Sequence, residues 1–180
     1  RFLIAYFVYM DGVITVIVFA ASYASQTLAS TPVEILGMLA IVQITALLGS
    51  LAMGPPTDRL GPRWAVRLSL VWWIGVVVAA YFAQEKAFFL VVAGLAGLGL
   101  GSIQAASRAF LARLIPPGRE SELFGFYALC GKTGSILGPV TFGVITLLTG
   151  GDQRPAVLAV AGFYVLGLLV LKGVRDEPVA

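Results

Sequence analysis

The sequence predicts an all-α polytopic membrane bundle, and two observations carry that prediction: an excess of apolar residues and their arrangement in long runs. The 180-residue chain is 59% hydrophobic and only 12% charged, and its mean hydropathy is +0.95. A soluble domain is roughly 45–50% apolar and about 25% charged. More apolar side chains are present than one soluble core hides, so the surplus must face lipid.

Six apolar stretches are each near or above the ~20 residues that a helix needs to cross a bilayer. Because backbone groups in lipid must be paired internally, these runs are predicted to be helices rather than strands. The chain starts at Arg1 without an initiator Met, which predicts a six-helix transmembrane domain over residues 1–180 that is a fragment of a longer chain. The predicted spans are Phe2–Ser25, Val33–Met53, Ala65–Ala83, Ala87–Leu111, Leu123–Thr149 and Ala156–Leu171.

The charged connections predict the orientation of the bundle. Basic residues are concentrated on one side, which the positive-inside rule makes cytoplasmic, and six spans place both termini there. The opposite side carries only Lys86 and Arg154. The basic-rich side carries Arg1, then Arg59, Arg63 and Arg67, then Arg113 and Arg119, then Lys172 and Arg175.

Residue usage excludes several function classes. Cys130 is the only cysteine and histidine is absent, so no disulfide framework, thiol metal cluster or cofactor is predicted. No hydrolase signature and no nucleophile–base pair is evident, so the protein is predicted not to be an enzyme. Nucleic-acid binding has no support, because no basic patch is interleaved with aromatic residues.

Two roles are considered for the glycines and two for the tryptophans of the predicted spans. Glycines recur in the fourth and fifth spans, where they favour close helix packing or, with Pro139, form a gating hinge. The three tryptophans, Trp64, Trp72 and Trp73, are predicted to face lipid or the interface rather than a substrate.

Ionisable residues inside spans are costly in lipid and are therefore functional candidates. Asp11 and Lys132 are each about nine residues into their spans, roughly 13–15 Å deep at 1.5 Å per residue. Gln104 is at similar depth, and Arg108 lies one turn below it on the same face. These four residues are predicted to form a polar layer that faces a translocation path.

The role of this layer has three interpretations. Asp11 pairs with Lys132 or Arg108 to assemble the helices, or the layer binds substrate or protons, or the basic side chains snorkel to the interface. Gln43 on span two, one heptad before Ser50, is a further candidate for lining a cavity, and so is Tyr127 on span five.

The strongest motif is the ten-residue run from Gly54 to Arg63 between spans two and three. It resembles the loop signature G-x-x-x-D-R-x-G-x-R of the major facilitator superfamily, in the topological position that the signature occupies in that family. Gly54 permits close helix approach and Gly61 permits a sharp turn. Asp58 is expected to accept bonds from a helix N-terminus or from Arg59 and Arg63, which would latch a cytoplasmic gate.

Weaker motifs narrow the resemblance. The opening run from Phe2 to Gly12 resembles the seventh helix of the vacuole effluxer family, and similar runs follow in order over essentially the whole chain. They include residues 101–108, residues 115–120, residues 124–127, Gly131-Lys132 and Gly138-Pro139. Met10 stands where a polar residue is expected in relatives.

This resemblance implies the C-terminal half of a secondary transporter with two inverted three-helix repeats. Its partners would be the N-terminal half of the same chain, the lipid bilayer and a small-molecule substrate, with amino-acid efflux implied. The membrane implied is a bacterial inner membrane or a vacuolar membrane. A non-transporting membrane scaffold or subunit is the alternative.

Overall fold

The structure is a computed structural model that describes residues 1–133 and 135–174, and regular structure in these residues is entirely helical. Six segments of it are long and apolar enough to cross a membrane. The helices are α1 (Phe2–Gln26), α2 (Pro32–Leu60), α3 (Pro62–Tyr81), α4 (Lys86–Leu114), α5 (Glu120–Thr133), α6 (Leu137–Leu148) and α7 (Arg154–Lys172). The prediction of six helical spans is therefore confirmed.

The fifth predicted span differs from expectation, because it is divided into α5 and α6. The break precedes Pro139, which is the third residue of α6. Proline lacks a backbone N–H and its ring clashes with the carbonyl four residues earlier, here Ser135, which favours a break before this turn, although Pro55 and Pro56 are accommodated within α2. The fifth span is therefore two helices rather than one bent helix.

Helix starts follow local chemistry. Pro32 begins α2, where its missing N–H costs nothing. Before it, Thr31 and Glu34 form a reciprocal capping box: the Glu34 N–H donates to Thr31 Oγ1 at 3.3 Å, and the Thr31 N–H donates to Glu34 Oε2 at 2.6 Å. Lys86, the first residue of α4, forms a salt bridge of 2.8 Å with Glu34. The α2 and α4 starts therefore lie together at one end of the bundle.

The closest helix pair is α2 with α4, and glycine makes it possible. A β-carbon at Gly97 or Gly101 would collide with the backbone of α2 at Val42 or Ala46. Small residues at such crossings let helices approach closely in lipid. The predicted packing role of the fourth-span glycines holds at these two positions.

The core lies where α1, α3, α4 and α7 meet, and Trp73 is fully buried in it, with its ring 5.6 Å from that of Tyr164. The prediction that all three tryptophans face lipid or the interface is therefore wrong for Trp73. Trp64 and Trp72 are 40% and 41% exposed. Nearly uniform hydrophobicity around α3 hides which face is inward, because lipid and core are equally apolar.

The two ends of the described chain lie on the same side. Arg1 Nη1 donates to the Gly173 carbonyl at 3.4 Å. Both ends therefore share one side of the bundle, as an even number of spans requires. That this side is cytoplasmic stays a prediction. Arg175, one of the basic residues used for it, lies outside the described residues.

Candidate functional site

A polar recess of about 410 Å³ opens between α1, α4 and α5. It brings together four of the residues predicted from the sequence: Gln104 and Arg108 from α4, and Tyr127 and Lys132 from α5. The spacing of Gln104 and Arg108 places them one above the other on a single helix face. The remaining lining residues are Tyr6, Met10, Phe124, Ala128 and Gly131.

Two cations give the recess its charge. The side chains of Arg108 and Lys132 are both exposed, and neither forms an ion pair with a carboxylate in residues 1–133 or 135–174. Gln104 between them is half-buried. From the described part of the chain, the recess therefore offers uncompensated positive charge beside a neutral hydrogen-bonding amide.

Stacked tyrosines form the inner wall of the recess. The rings of Tyr6 and Tyr127 are 4.0 Å apart between centroids, and both side chains are buried. Arg108 is close enough to act electrostatically on both hydroxyls. Behind them, Tyr9 and Ser107 share a hydrogen bond of 2.7 Å, which ties α1 to α4. This wall is held by packing and by a buried bond, so it is a fixed surface.

Tyr6 and Met10 also line the recess, although neither was predicted as a site residue. They are one turn apart on α1 and therefore share a face, which is the signal that could have found them. Met10, which stands where a polar residue is expected in relatives, is buried against the recess.

Asp11 is separate from the recess. Its side chain is fully buried, and its Oδ2 accepts a hydrogen bond of 2.8 Å from the backbone N–H of Gly138 at the start of α6. It forms no ion pair within the described residues, so the expected pairing with Lys132 or Arg108 is not formed there. The depth of Asp11 was predictable from the sequence but its partner was not, because that partner is a backbone group exposed by the helix break.

Gln43 also lies apart from the recess. It is exposed on α2, and no residue of α2 lines the polar recess. A second concavity near this helix is lined by apolar side chains from residues such as Val42, Phe89 and Phe142. It offers no directional partner to a polar solute.

The signature residues occupy the end of α2 and the start of α3. Where a loop was predicted, α2 continues through Pro55 and Pro56 to Leu60. The Thr57 hydroxyl donates to the Met53 carbonyl at 2.6 Å within this last stretch. Gly61 alone makes the turn, with φ +87°, a conformation that glycine adopts without strain.

The signature contacts another helix through Arg63, whereas bonds to Asp58 from a helix N-terminus or from Arg59 and Arg63 were expected. The Nη2 of Arg63 donates to the carbonyl of Lys172 at 3.0 Å, at the C-terminus of α7, where a cation complements the helix dipole. Asp58 and Arg59 are exposed and have no bonded partner among the described residues. Among the described residues, nothing lies within 4 Å of where a β-carbon of Gly54 would be, so the expected close helix approach is not found there.

Comparisons with known proteins show which family this chain resembles. Residues 1–177 match the family model described as "Vacuole effluxer Atg22 like". The chain is 35% identical over 98% of its length to an uncharacterized MFS-type transporter, YxiO, of Bacillus subtilis, covering 41% of it. It is 27% identical over 81% of its length to autophagy-related protein 22 of Saccharomyces cerevisiae strain S288c, covering 30% of that protein.

The fold also matches a solved transporter. The inward-open xylose transporter XylE from Escherichia coli superimposes with a TM-score of 0.80 over 98% of this chain and 47% of XylE, at 16% sequence identity. That likeness concerns the fold alone. The chain spans less than half the length of each of these three proteins.

The six segments of membrane-spanning length define a multi-pass membrane protein, and its fold is shared with part of a solved transporter. Within that class, the chain belongs to the vacuole effluxer Atg22-like family.

Proposed function

We propose that this chain forms a six-helix half of an alternating-access transporter and that the recess binds the transported solute. The observation that carries the proposal is the pair of exposed cations, Arg108 and Lys132, in one recess without a carboxylate from the described residues. In a bilayer such charges are costly unless they face water or a partner. A recess that opens toward a second six-helix half would provide these cations with both water and a partner.

The substrate class follows from the charges. Arg108 and Lys132 suit a carboxylate, and Arg binds such groups through two parallel N–H donors. Gln104 adds a neutral donor and acceptor. Amino-acid efflux is the proposed activity, since every amino acid carries a carboxylate and the family is described as vacuole effluxers. The only charged groups that the described chain places in the recess are cations. The amino group of the solute would therefore be bound by residues outside the recess.

The arginine of the signature is proposed to latch the cytoplasmic gate. Arg63 holds the C-terminus of α7 while Arg1 holds the next carbonyl, that of Gly173. Because both contacts are to backbone carbonyls at one helix end, they break together if α7 moves away. The basic residues on this side support a cytoplasmic location, in a bacterial inner membrane or a vacuolar membrane.

A non-transporting scaffold is the less favoured alternative. A scaffold needs helix packing but has no use for exposed cations in a recess of about 410 Å³. The family assignment also favours transport.

Efflux of radiolabelled amino acids from proteoliposomes that contain the full-length protein tests the proposal. Arg108→Gln and Lys132→Met should each lower the transport rate about ten-fold or more, because a charge-assisted bond to the solute is lost. Lys172→Met is the matched control, since that lysine is exposed at the end of α7 and outside the recess. Unchanged transport in both recess variants would discard the proposed site, and no transport of any amino acid by the wild-type protein would discard the substrate class.

A further inference from the structure

The carboxyl group of Asp11 is only half satisfied. It is fully buried between α1 and the start of α6. Oδ2 accepts the N–H of Gly138 at 2.8 Å, while Oδ1 has no hydrogen-bond partner among the described residues. An ionised carboxylate can accept about four hydrogen bonds. One oxygen of this buried group is therefore left with vacant accepting capacity.

Two opposing effects act on the charge of this carboxylate. The N-terminus of a helix favours a negative charge, and the Gly138 N–H in the first turn of α6 donates to Asp11. Burial away from water disfavours the same charge unless it is paired. No cation of the described residues pairs with the carboxylate to decide between these effects, so the charged and neutral forms of Asp11 compete.

The neighbouring elements contribute no compensating charge. Among the described residues, no titratable group on the elements packed against α1 forms a hydrogen bond or ion pair with the Asp11 carboxyl group, and α6 carries no titratable residue. The titratable groups on these elements include Tyr9 on α1 itself, Arg108 on α4, Tyr127, Cys130 and Lys132 on α5, and Tyr164 on α7, whose ring packs on Gly12.

The contact between Asp11 and Gly138 also fixes where α6 begins. The two helices approach so closely that a β-carbon at Gly138 would collide with the Thr15 hydroxyl. That hydroxyl donates to the backbone carbonyl of Asp11 at 2.6 Å. Because α6 starts after a break, its first turn is not held by a preceding helical turn. The carboxyl group of Asp11 supplies the long-range hydrogen bond that holds it.

We propose that Asp11 is a proton-binding site and that its protonation releases the start of α6 from α1. A proton from water adds to Oδ1, which becomes a hydroxyl, while Oδ2 becomes a carbonyl oxygen. The group is then neutral, so its attraction to the N-terminus of α6 is lost. If the proposed transport function holds, this step couples proton binding to a movement in the broken span beside the substrate recess.

The test measures the separation of α1 and α6 without any transport assay, so it can fail independently of the proposed function. Spin labels are placed at Val18→Cys and Val144→Cys, which are 56% and 49% exposed on the outer surface. Distances are measured by electron spin resonance in the full-length protein in liposomes, without substrate, in a background in which Cys130 and any cysteine in the rest of the full-length chain are replaced by Ser. The expected result is a separation that increases along a one-proton curve as the pH falls from about 9 to about 5.

Variants identify the group that titrates. Asp11→Asn should show the low-pH separation at every pH, and Asp11→Glu should keep a pH-dependent curve. Glu85→Gln removes an exposed carboxylate at the start of α4 and should keep the wild-type curve. A pH-independent separation in the wild-type protein, or an unchanged curve in Asp11→Asn, would overturn the proposal.

A second measurement covers the case in which Asp11→Asn does not fold. Infrared spectra of the wild-type protein should show a carboxyl C=O band that grows with the same midpoint as the distance change and shifts in frequency in Asp11→Glu. Absence of that band, or a band unaffected by the glutamate substitution, would equally overturn it.

Discussion

Gly101 on α4 lies against the backbone carbonyl of Ala46 on α2, so close that a β-carbon at position 101 would collide with that oxygen. The obstacle is backbone rather than a flexible side chain, so it cannot move aside without shifting a whole helix. This contact sets the separation of the closest helix pair in the bundle. It therefore also sets where α4 carries Gln104 and Arg108.

Gly101→Ala should lower the stability of the protein by about 1–3 kcal/mol, because the added methyl group overpacks the α2–α4 crossing. Gly75→Ala on α3 is the matched control, because no atom of residues 1–133 or 135–174 lies within 4 Å of where its β-carbon would be. Alanine is the better helix former by roughly 1 kcal/mol, so the control should be neutral or stabilising. Thermal unfolding in detergent compares the two, and equal midpoints would contradict the predicted close crossing.

Trp73→Ala should destabilise the bundle by about 3–5 kcal/mol, because it empties the centre of the core. Trp73 is fully buried, whereas Trp64 on the same helix is 40% exposed. Trp64→Ala should therefore cost much less in the same unfolding assay. A larger loss at position 64 than at position 73 would mean that α3 is rotated relative to the structure.

Arg63→Ala should weaken the attachment of α7, because Arg63 binds the Lys172 and Leu171 carbonyls at the end of that helix. Hydrogen bonds from charged groups contribute about 1.5–3 kcal/mol each. Arg59→Ala removes an exposed arginine of the same signature and should have little effect. Hydrogen exchange at the last turn of α7 measures the difference: protection should fall in Arg63→Ala alone, and equal protection in both variants would argue against the latch.

The membrane bundle could be predicted from the sequence because lipid imposes a length and an apolarity that few other environments require. The sharp turn at Gly61 was also predictable, because this turn is the only connection between two long predicted helices. The rotation of each helix about its axis was not predictable, as the burial of Trp73 shows. When core and lipid are both apolar, no change from apolar to polar residues marks which face of the helix is inward.

The depth of each polar residue in the membrane was predictable from the sequence, but its interaction partners were not. Counting along α4 and α5 placed Gln104 and Lys132 at similar depth, with Arg108 one turn below Gln104, and the structure brings all three into one recess. The same counting suggested that Asp11 belongs with them. Its partner is instead the N–H of Gly138, which becomes available only because the fifth span is broken.

Accessibility of the recess to water, measured within the membrane, is the most direct test of the account. Ala128→Cys places a thiol in the recess, and Phe126→Cys places one on α5 outside it. In full-length protein in liposomes with a Cys130→Ser background, a charged, membrane-impermeant thiol reagent should label position 128 much faster than position 126, and a mixture of amino acids should slow the labelling. Labelling of position 128 that is as slow as that of position 126 would contradict a water-filled, solute-binding recess.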